Sequence, residues 1–204
     1  MRFSRCLLAV FGALLAGPVA AQVFTIPPGA YRTAAAYRRR LPEPAGLDAF
    51  YPDKRGQLVV VAPRGAATVK LRVAPDSVWG FVTNKGRTRR IYRGIEYQLE
   101  AADTLAIYTS SGASAGASAV GPGIATPGSS GLGNLANTRY YFSRGLTGLI
   151  FPLTPRYLRE AYAASNPAFV AALNELRFDQ SLSDFDRKTG LFRVTKVYRN
   201  AAGR

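Results

Sequence analysis

Histidine is absent from this sequence, and its single cysteine and single methionine are Cys6 and Met1. Without an imidazole there is no His general base, no Ser-His-Asp triad, no His-ligated zinc and no ordinary haem ligation. Many common enzyme classes fall away. Carboxylates, Lys, Tyr and Ser remain as reactive groups, so an enzyme is disfavoured without being excluded. Acidic residues are scarce as well, 12 against 27 basic ones, for a net charge of +15. Long apolar runs are scarcer still. After Leu7 to Ala16 no stretch is long and charge-free enough for a membrane-spanning helix.

That one apolar run has a specific setting. Arg2 and Arg5 precede it, and Gly17, Pro18 and the small residues Val19-Ala20-Ala21 follow. A positive start, a short apolar core and an A-x-A-like end read as a secretory signal peptide over residues 1–21, with cleavage expected after Ala21. The expected location is periplasmic or extracellular, with peripheral attachment to the envelope. Cys6 leaves with the signal, so the mature chain can form no disulfide and carries no thiol nucleophile. Residues 22–204 must then be held together by their own core, and their length suits one or two small domains.

A strongly basic exported surface attracts anions: lipid headgroups, acidic polysaccharide, nucleic acid or acidic protein. The expected partner is an anionic envelope component, a lipid headgroup or a polysaccharide, because export argues against nucleic acid. The plainer alternative is a basic protein that is merely soluble and adhesive. Oligomeric state is not readable.

Residues 22–109 read as a short helix followed by an antiparallel meander. Val23 to Ile26 is extended and stopped by Pro27-Pro28-Gly29; Ala30 to Arg40 is helical, with Arg38 to Arg40 near its C-terminal end, where the helix dipole favours cations. Leu58–Ala62, Val69–Val73, Val78–Val82, Arg89–Tyr92, Ile95–Leu99 and Leu105–Thr109 are β-rich runs separated by turn signals. Their close spacing leaves no room for crossover helices, so sequential pairing is the natural topology. Leu58–Val61 and Val78–Val82 are apolar on both faces and should be central or covered.

Residues 110–136 consist almost entirely of small and polar residues without charge or aromatics, and read as a low-complexity flexible loop or linker. Whether they separate two domains or interrupt one stays open. Residues 137–204 begin with a strand, Arg139 to Ser143, and a second short one at Leu149 to Phe151. Thr154 and Pro155 then open a helix, with Leu153 against Leu158 as a staple. Asn166-Pro167 opens another, which places Phe169, Val170, Leu173 and Leu176 on one face. The tail around Leu191 to Tyr198 fits a helix better than a strand.

Short motifs carry little chemistry here. Gly112-Ala113-Ser114-Ala115-Gly116 matches a nucleophile elbow without a His partner, and Gly131 to Ala136 matches G-x-G-x-x-A without the strand and helix that the fingerprint needs. Asp184-Phe185-Asp186 followed by Gly190 lacks the closing Glu of a calcium loop and reads as a helix-terminal acidic turn. Glu96 with Glu100, or Asp48 with Asp53, are candidate carboxylate pairs for glycoside hydrolysis, with solvated charge as the ordinary explanation. No catalytic residue, cofactor or metal site is assigned.

Lys85, Arg87, Arg89, Arg90, Tyr92 and Arg93 form the candidate anion-binding cluster. Arg and aromatic residues interleaved on a sheet can hold phosphate or stack on sugar rings, whereas a hairpin with a wet face carries similar charges for solubility alone.

Ser77-Val78-Trp79-Gly80-Phe81, then Gly86, the basic strand and Tyr97, resembles a pattern of uncharacterised exported bacterial proteins, as does Leu153 to Leu176 followed by Leu182 to Asp186. The resemblance implies one exported unit that combines both halves, and brings no assigned activity or site residue. The expected architecture is α+β: an antiparallel meander of about six strands, a long Gly/Ser/Ala-rich loop and a helical C-terminal part packed on or beside the sheet. The expected function is non-enzymatic binding through a basic surface, with a carboxylate-dependent hydrolase of cell-wall or extracellular sugar as the alternative.

Overall fold

A computed structural model describes residues 26–111, 138–177 and 180–203. The expected signal peptide, the G-x-S-x-G match and the G-x-G-x-x-A match lie outside the described residues. In chain order the elements are β1 (Gly29–Tyr31), α1 (Ala34–Arg38), β2 (Asp48–Phe50), β3 (Leu58–Arg64), β4 (Ala67–Val73), a 3-10 turn (Pro75–Ser77), β5 (Gly80–Val82), β6 (Thr88–Tyr92), β7 (Ile95–Ala101), β8 (Leu105–Ser111), β9 (Thr138–Arg144), β10 (Phe151–Pro152), α2 (Pro155–Tyr162), α3 (Pro167–Asn174), β11 (Phe185–Asp186), β12 (Leu191–Phe192) and α4 (Arg193–Ala201).

The fold is α+β, with antiparallel sheets and a helical C-terminal part. Strands β5 to β10 form a six-stranded sequential meander, and β1 adds to its β5 edge to make seven. This meander runs from residue 80 to 152 rather than from 58 to 109. Strands β3 and β4 leave it to form a separate three-stranded sheet with β2. Strand β8 pairs directly with β9, Leu105 opposite Arg144 through Ser111 opposite Thr138, so the low-complexity segment joins two neighbouring strands of one sheet.

Pairing places Phe81, Arg89, Gln98, Thr109 and Tyr140 on one face of the large sheet. Two apolar layers cover that face. Near β5 and β6, Ala49, Leu58 and Val60 of the small sheet pack with Phe81 and Ile91; near β8 and β9, Leu158, Phe169, Leu173, Phe192 and Val194 from the helical part pack on Leu105, Ile107 and Phe142. Strand β3 is accordingly central and β5 is buried on both faces. The opposite face is aromatic: Tyr31, Tyr37, Trp79, Tyr97 and Tyr108 cluster with Leu146, and Trp79 Nε1 donates to the Leu146 carbonyl at 2.7 Å.

Helix starts follow their caps. Thr154 Oγ1 accepts from Tyr157 N, Asn166 Oδ1 accepts from Phe169 N, and proline follows each cap, which satisfies amides that the helix itself leaves free. Leu153 packs against the cluster that buries Leu158. The second of these helices ends at Asn174, and Leu176 packs from beyond it. The expected helix from Ala30 is shorter than its sequence pattern: Ala30 and Tyr31 pair with Phe81 and Gly80 instead, and Thr33 caps the helix at Ala34. Asp184 to Gly190 is a β-hairpin approach, not a helix-terminal turn, and β12 leads straight into α4. Among the described residues no helix is long and apolar enough to cross a membrane.

Candidate anion-binding site

Strand alternation divides the basic cluster. Arg89 and Arg90 are neighbours in sequence and therefore point to opposite faces of the sheet. Arg89 Nη1 lies 2.6 Å from Glu96 Oε1 on the face shared with the small sheet. Burial pushes the Glu96 carboxyl up, against the pull of Arg89. Arg90 is only 4% exposed and sits on the aromatic face. Its Nη1 donates to the Tyr108 hydroxyl at 3.2 Å and to Ser143 Oγ at 3.4 Å, and its Nη2 donates to the Gly148 carbonyl at 2.8 Å. No ion pair reaches it among the described residues.

Tyr92 brings Arg90 and Arg93 together, their guanidinium carbons 5.3 and 5.4 Å from its ring centroid. Arg93 occupies the turn between β6 and β7 with φ 53°, followed by Gly94 at φ 72°, the backbone that a two-residue hairpin turn requires. Lys85 and Arg87 are exposed in the turn at the other end of β6. The six residues thus occupy two faces and two ends of one strand. Only Arg90, Tyr92 and Arg93 meet.

The candidate carboxylates are already engaged. Glu100 accepts from Gln98 Nε2 and Thr109 Oγ1. Asp48 accepts from the Ala49 and Asn84 amides. Asp53 caps a turn through the Arg55 and Gln57 amides and pairs with Arg72, and those bonds, led by Gln57, hold its carboxyl below the usual range. Asp184 and Asp186 share a cavity of about 390 Å³, but Asp184 pairs with Arg193 and Asp186 with Lys196, whose hydrogen bond lowers Asp186 to about 2. A general acid needs the opposite shift. Among the described residues no group of three or more Cys, Asp or Glu could hold a metal ion.

A cleft of about 810 Å³ lies where α1, the β7–β8 turn, the end of β9, the end of α2 and α4 converge. Its charged residues are Arg38, Asp103 and Arg144. Arg38 is the last residue of α1, and its Nη2 is 4.0 Å from the position that a Cβ on Gly145 would take. Arg144 closes β9; its Nη1 donates to the Ala161 carbonyl at 3.3 Å near the C-terminal end of α2, and its guanidinium carbon lies 5.3 Å from the Tyr162 ring centroid. A cation is favoured at that helix end.

Asp103 is neutralised across the cleft. Arg199 of α4 approaches Asp103 Oδ2 to 2.6 Å through Nη2 and 3.2 Å through Nε, and Thr104 N donates to Oδ1 at 2.7 Å. The Arg199 hydrogen bonds, then that of the Thr104 amide, hold the Asp103 carboxyl below the usual range. Arg38 and Arg144 form no ion pair among the described residues, so the cleft keeps two exposed guanidinium charges in excess. Tyr162 also lines it, with its ring buried and its hydroxyl lacking a hydrogen-bond partner among the described residues; burial pushes that hydroxyl well above the ordinary tyrosine range.

Arg38 stands out in the sequence within the Arg38 to Arg40 run, whereas Arg144 carries no local signal, because only the folded chain brings the two residues to one cavity. No family model matches the chain, and neither a curated protein nor a solved structure does.

Proposed function

We propose that this chain is a non-enzymatic exported protein that binds an anionic component of the cell envelope in the cleft of Arg38 and Arg144. One observation carries the reading: a cavity of ligand-site size holds two guanidinium groups that have no carboxylate partner among the described residues, while the one acid among its described lining residues, Asp103, is spent on Arg199. Guanidinium forks suit carboxylate and phosphate oxygens. The strong net positive charge supports approach of such a ligand, and the leader-like start of the sequence supports its presentation outside the cytoplasm. The hydrolase alternative has less support, since each carboxylate considered for it serves a turn, an ion pair or a strand contact.

Sedimentation with envelopes of the host across a salt series tests this reading. The protein pellets at low salt and is released as salt rises, and Arg38→Gln combined with Arg144→Gln abolishes pelleting while far-UV circular dichroism stays unchanged. A protein that remains in the supernatant at low salt, or a double variant that still pellets, overturns it.

A further inference from the structure

We infer that the outer edge of strand β4 is a docking site for an extended segment of another protein in which acidic residues alternate with apolar ones. The inference is independent of the cleft of Arg38 and Arg144, none of whose described lining residues belongs to the small sheet. In that sheet β3 is central, so β4 pairs on one side only among the described residues. It runs for seven residues, Ala67 to Val73, in unbroken register with β3. Such an edge presents free N–H and C=O groups to any strand that can lie beside it.

The register says which groups are free. The Val61 carbonyl accepts from Leu47 N at 2.7 Å, so the main-chain groups of Val61 face the β2 side, away from β4. Lys70, opposite Val61, is therefore in a non-hydrogen-bonded pair and turns its own N–H and C=O outward. Alternation gives Thr68 and Arg72 the same outward direction. Pro63, opposite Thr68, fits this register, because it has no N–H to donate.

Side chains alternate as well. Val69, Leu71 and Val73 share the face of Leu58 and Val60, which are buried in the core, yet Leu71 stays 37% exposed. Thr68, Lys70 and Arg72 lie on the other face. Lys70 is exposed and forms no ion pair among the described residues, and Arg72 keeps half of its side chain exposed beside Asp53. An added strand thus meets cations on one face and a partly bare apolar row on the other. Acidic residues opposite Lys70 and Arg72, alternating with apolar residues opposite Val69 and Leu71, complement both faces. A second copy does not: antiparallel pairing over the whole of β4 sets Lys70 against Lys70, and the net charge of +15 opposes self-association.

Isothermal titration of the purified protein with a blocked peptide of alternating Glu and Val tests this. The controls are a peptide of alternating Lys and Val, and one with the same Glu and Val residues arranged in two blocks. The alternating acidic peptide binds and the controls do not. In the complex, hydrogen exchange slows at the amides of Thr68, Lys70 and Arg72 and changes little at Val69 and Leu71, a pattern that bare charge attraction would not give. Lys70→Pro removes an outward donor without touching the β3 ladder, and weakens binding at least about tenfold. Lys70→Glu keeps the donor, is safe for the fold at an exposed position, and weakens binding at least about threefold. The inference is overturned if the acidic peptide does not bind, binds without slowing the outward amides, or binds Lys70→Glu as tightly as the parent. Equal binding of the Lys and Val peptide overturns the acidic assignment. Slow exchange of the outward amides in the protein alone, lost on dilution, would give the edge to a second copy instead.

Discussion

Arg90 and Gly148, 58 residues apart in sequence, are joined by a 2.8 Å hydrogen bond from the buried guanidinium to the backbone carbonyl. The bond fastens the loop after β9 to the middle of β6. Gly148 has no room for a side chain, because a Cβ there would stand 2.7 Å from the Arg144 carbonyl oxygen and 2.9 Å from its amide nitrogen. Arg90→Ala removes three hydrogen bonds and leaves a cavity under Tyr92 and Tyr108. Stability falls by about 2–4 kcal/mol, measured by urea unfolding. Gly148→Ala displaces the acceptor, so the two substitutions combine less than additively by at least about 0.5 kcal/mol. Full additivity, or an Arg90→Ala protein as stable as the parent, would show that the guanidinium does not hold the loop.

Tyr162 supplies a contrasting test on the helical side. Its hydroxyl is buried without a partner among the described residues, while its ring packs edge-on to Phe169 and Tyr198. Phenylalanine keeps the ring contacts and removes the unsatisfied group. Tyr162→Phe is therefore neutral or stabilising by about 1 kcal/mol, read as an unchanged or raised Tm. A clear loss of stability would reveal a partner for the hydroxyl.

The elements visible in sequence were those fixed by their own neighbours. Thr154-Pro155 and Asn166-Pro167 state their helix starts within one turn, and Arg93-Gly94 states its hairpin. What sequence left hidden depends on distant partners. Alternation in Val69 to Val73 identifies a strand but does not say which sheet receives it, and Ala30-Tyr31 looks helical until Gly80 and Phe81 arrive to pair with it. The basic cluster failed as one surface for a local reason: period-two geometry separates Arg89 from Arg90 on any strand. The cleft is the reverse case, since Arg38, Asp103 and Arg144 share nothing in sequence beyond charge.

Alkaline titration probes the aromatic face. Burial pushes the hydroxyls of Tyr31 and Tyr97 up to about 12. Their folded-state pKa values lie above the unfolded value of 10.0, so the stability they contribute is complete below about pH 10 and is lost as pH rises towards about 12. Tyrosinate absorbance then rises in two phases, exposed residues first, with the second phase coinciding with loss of the folded circular dichroism signal. A single phase near pH 10 with the sheet intact would contradict this burial.

Acid acts at the other end of the chain, through Asp186 and Lys196. The Lys196 ammonium is 2.7 Å from Asp186 Oδ2 and the Lys188 amide donates to Oδ1, which ties the β11–β12 hairpin to α4. These bonds lower the carboxyl from 3.8 to about 2. A depressed folded-state pKa contributes stability that is present above the unfolded value and is lost as pH falls through the folded one. The hairpin therefore loosens between about pH 4 and pH 2, and Asp103 on Arg199, shifted in the same direction, loosens α4 over the lower part of the acid range. Hydrogen exchange of the α4 amides accelerates across that window, after correction for the intrinsic pH dependence, and Asp186→Asn makes the protection lower at neutral pH and flatter with acid. Because the pair is partly exposed, added salt reduces the difference between the two proteins. Equal acid dependence in the parent and Asp186→Asn would mean that α4 is held by its apolar contacts with Leu158, Phe169 and Leu182 alone.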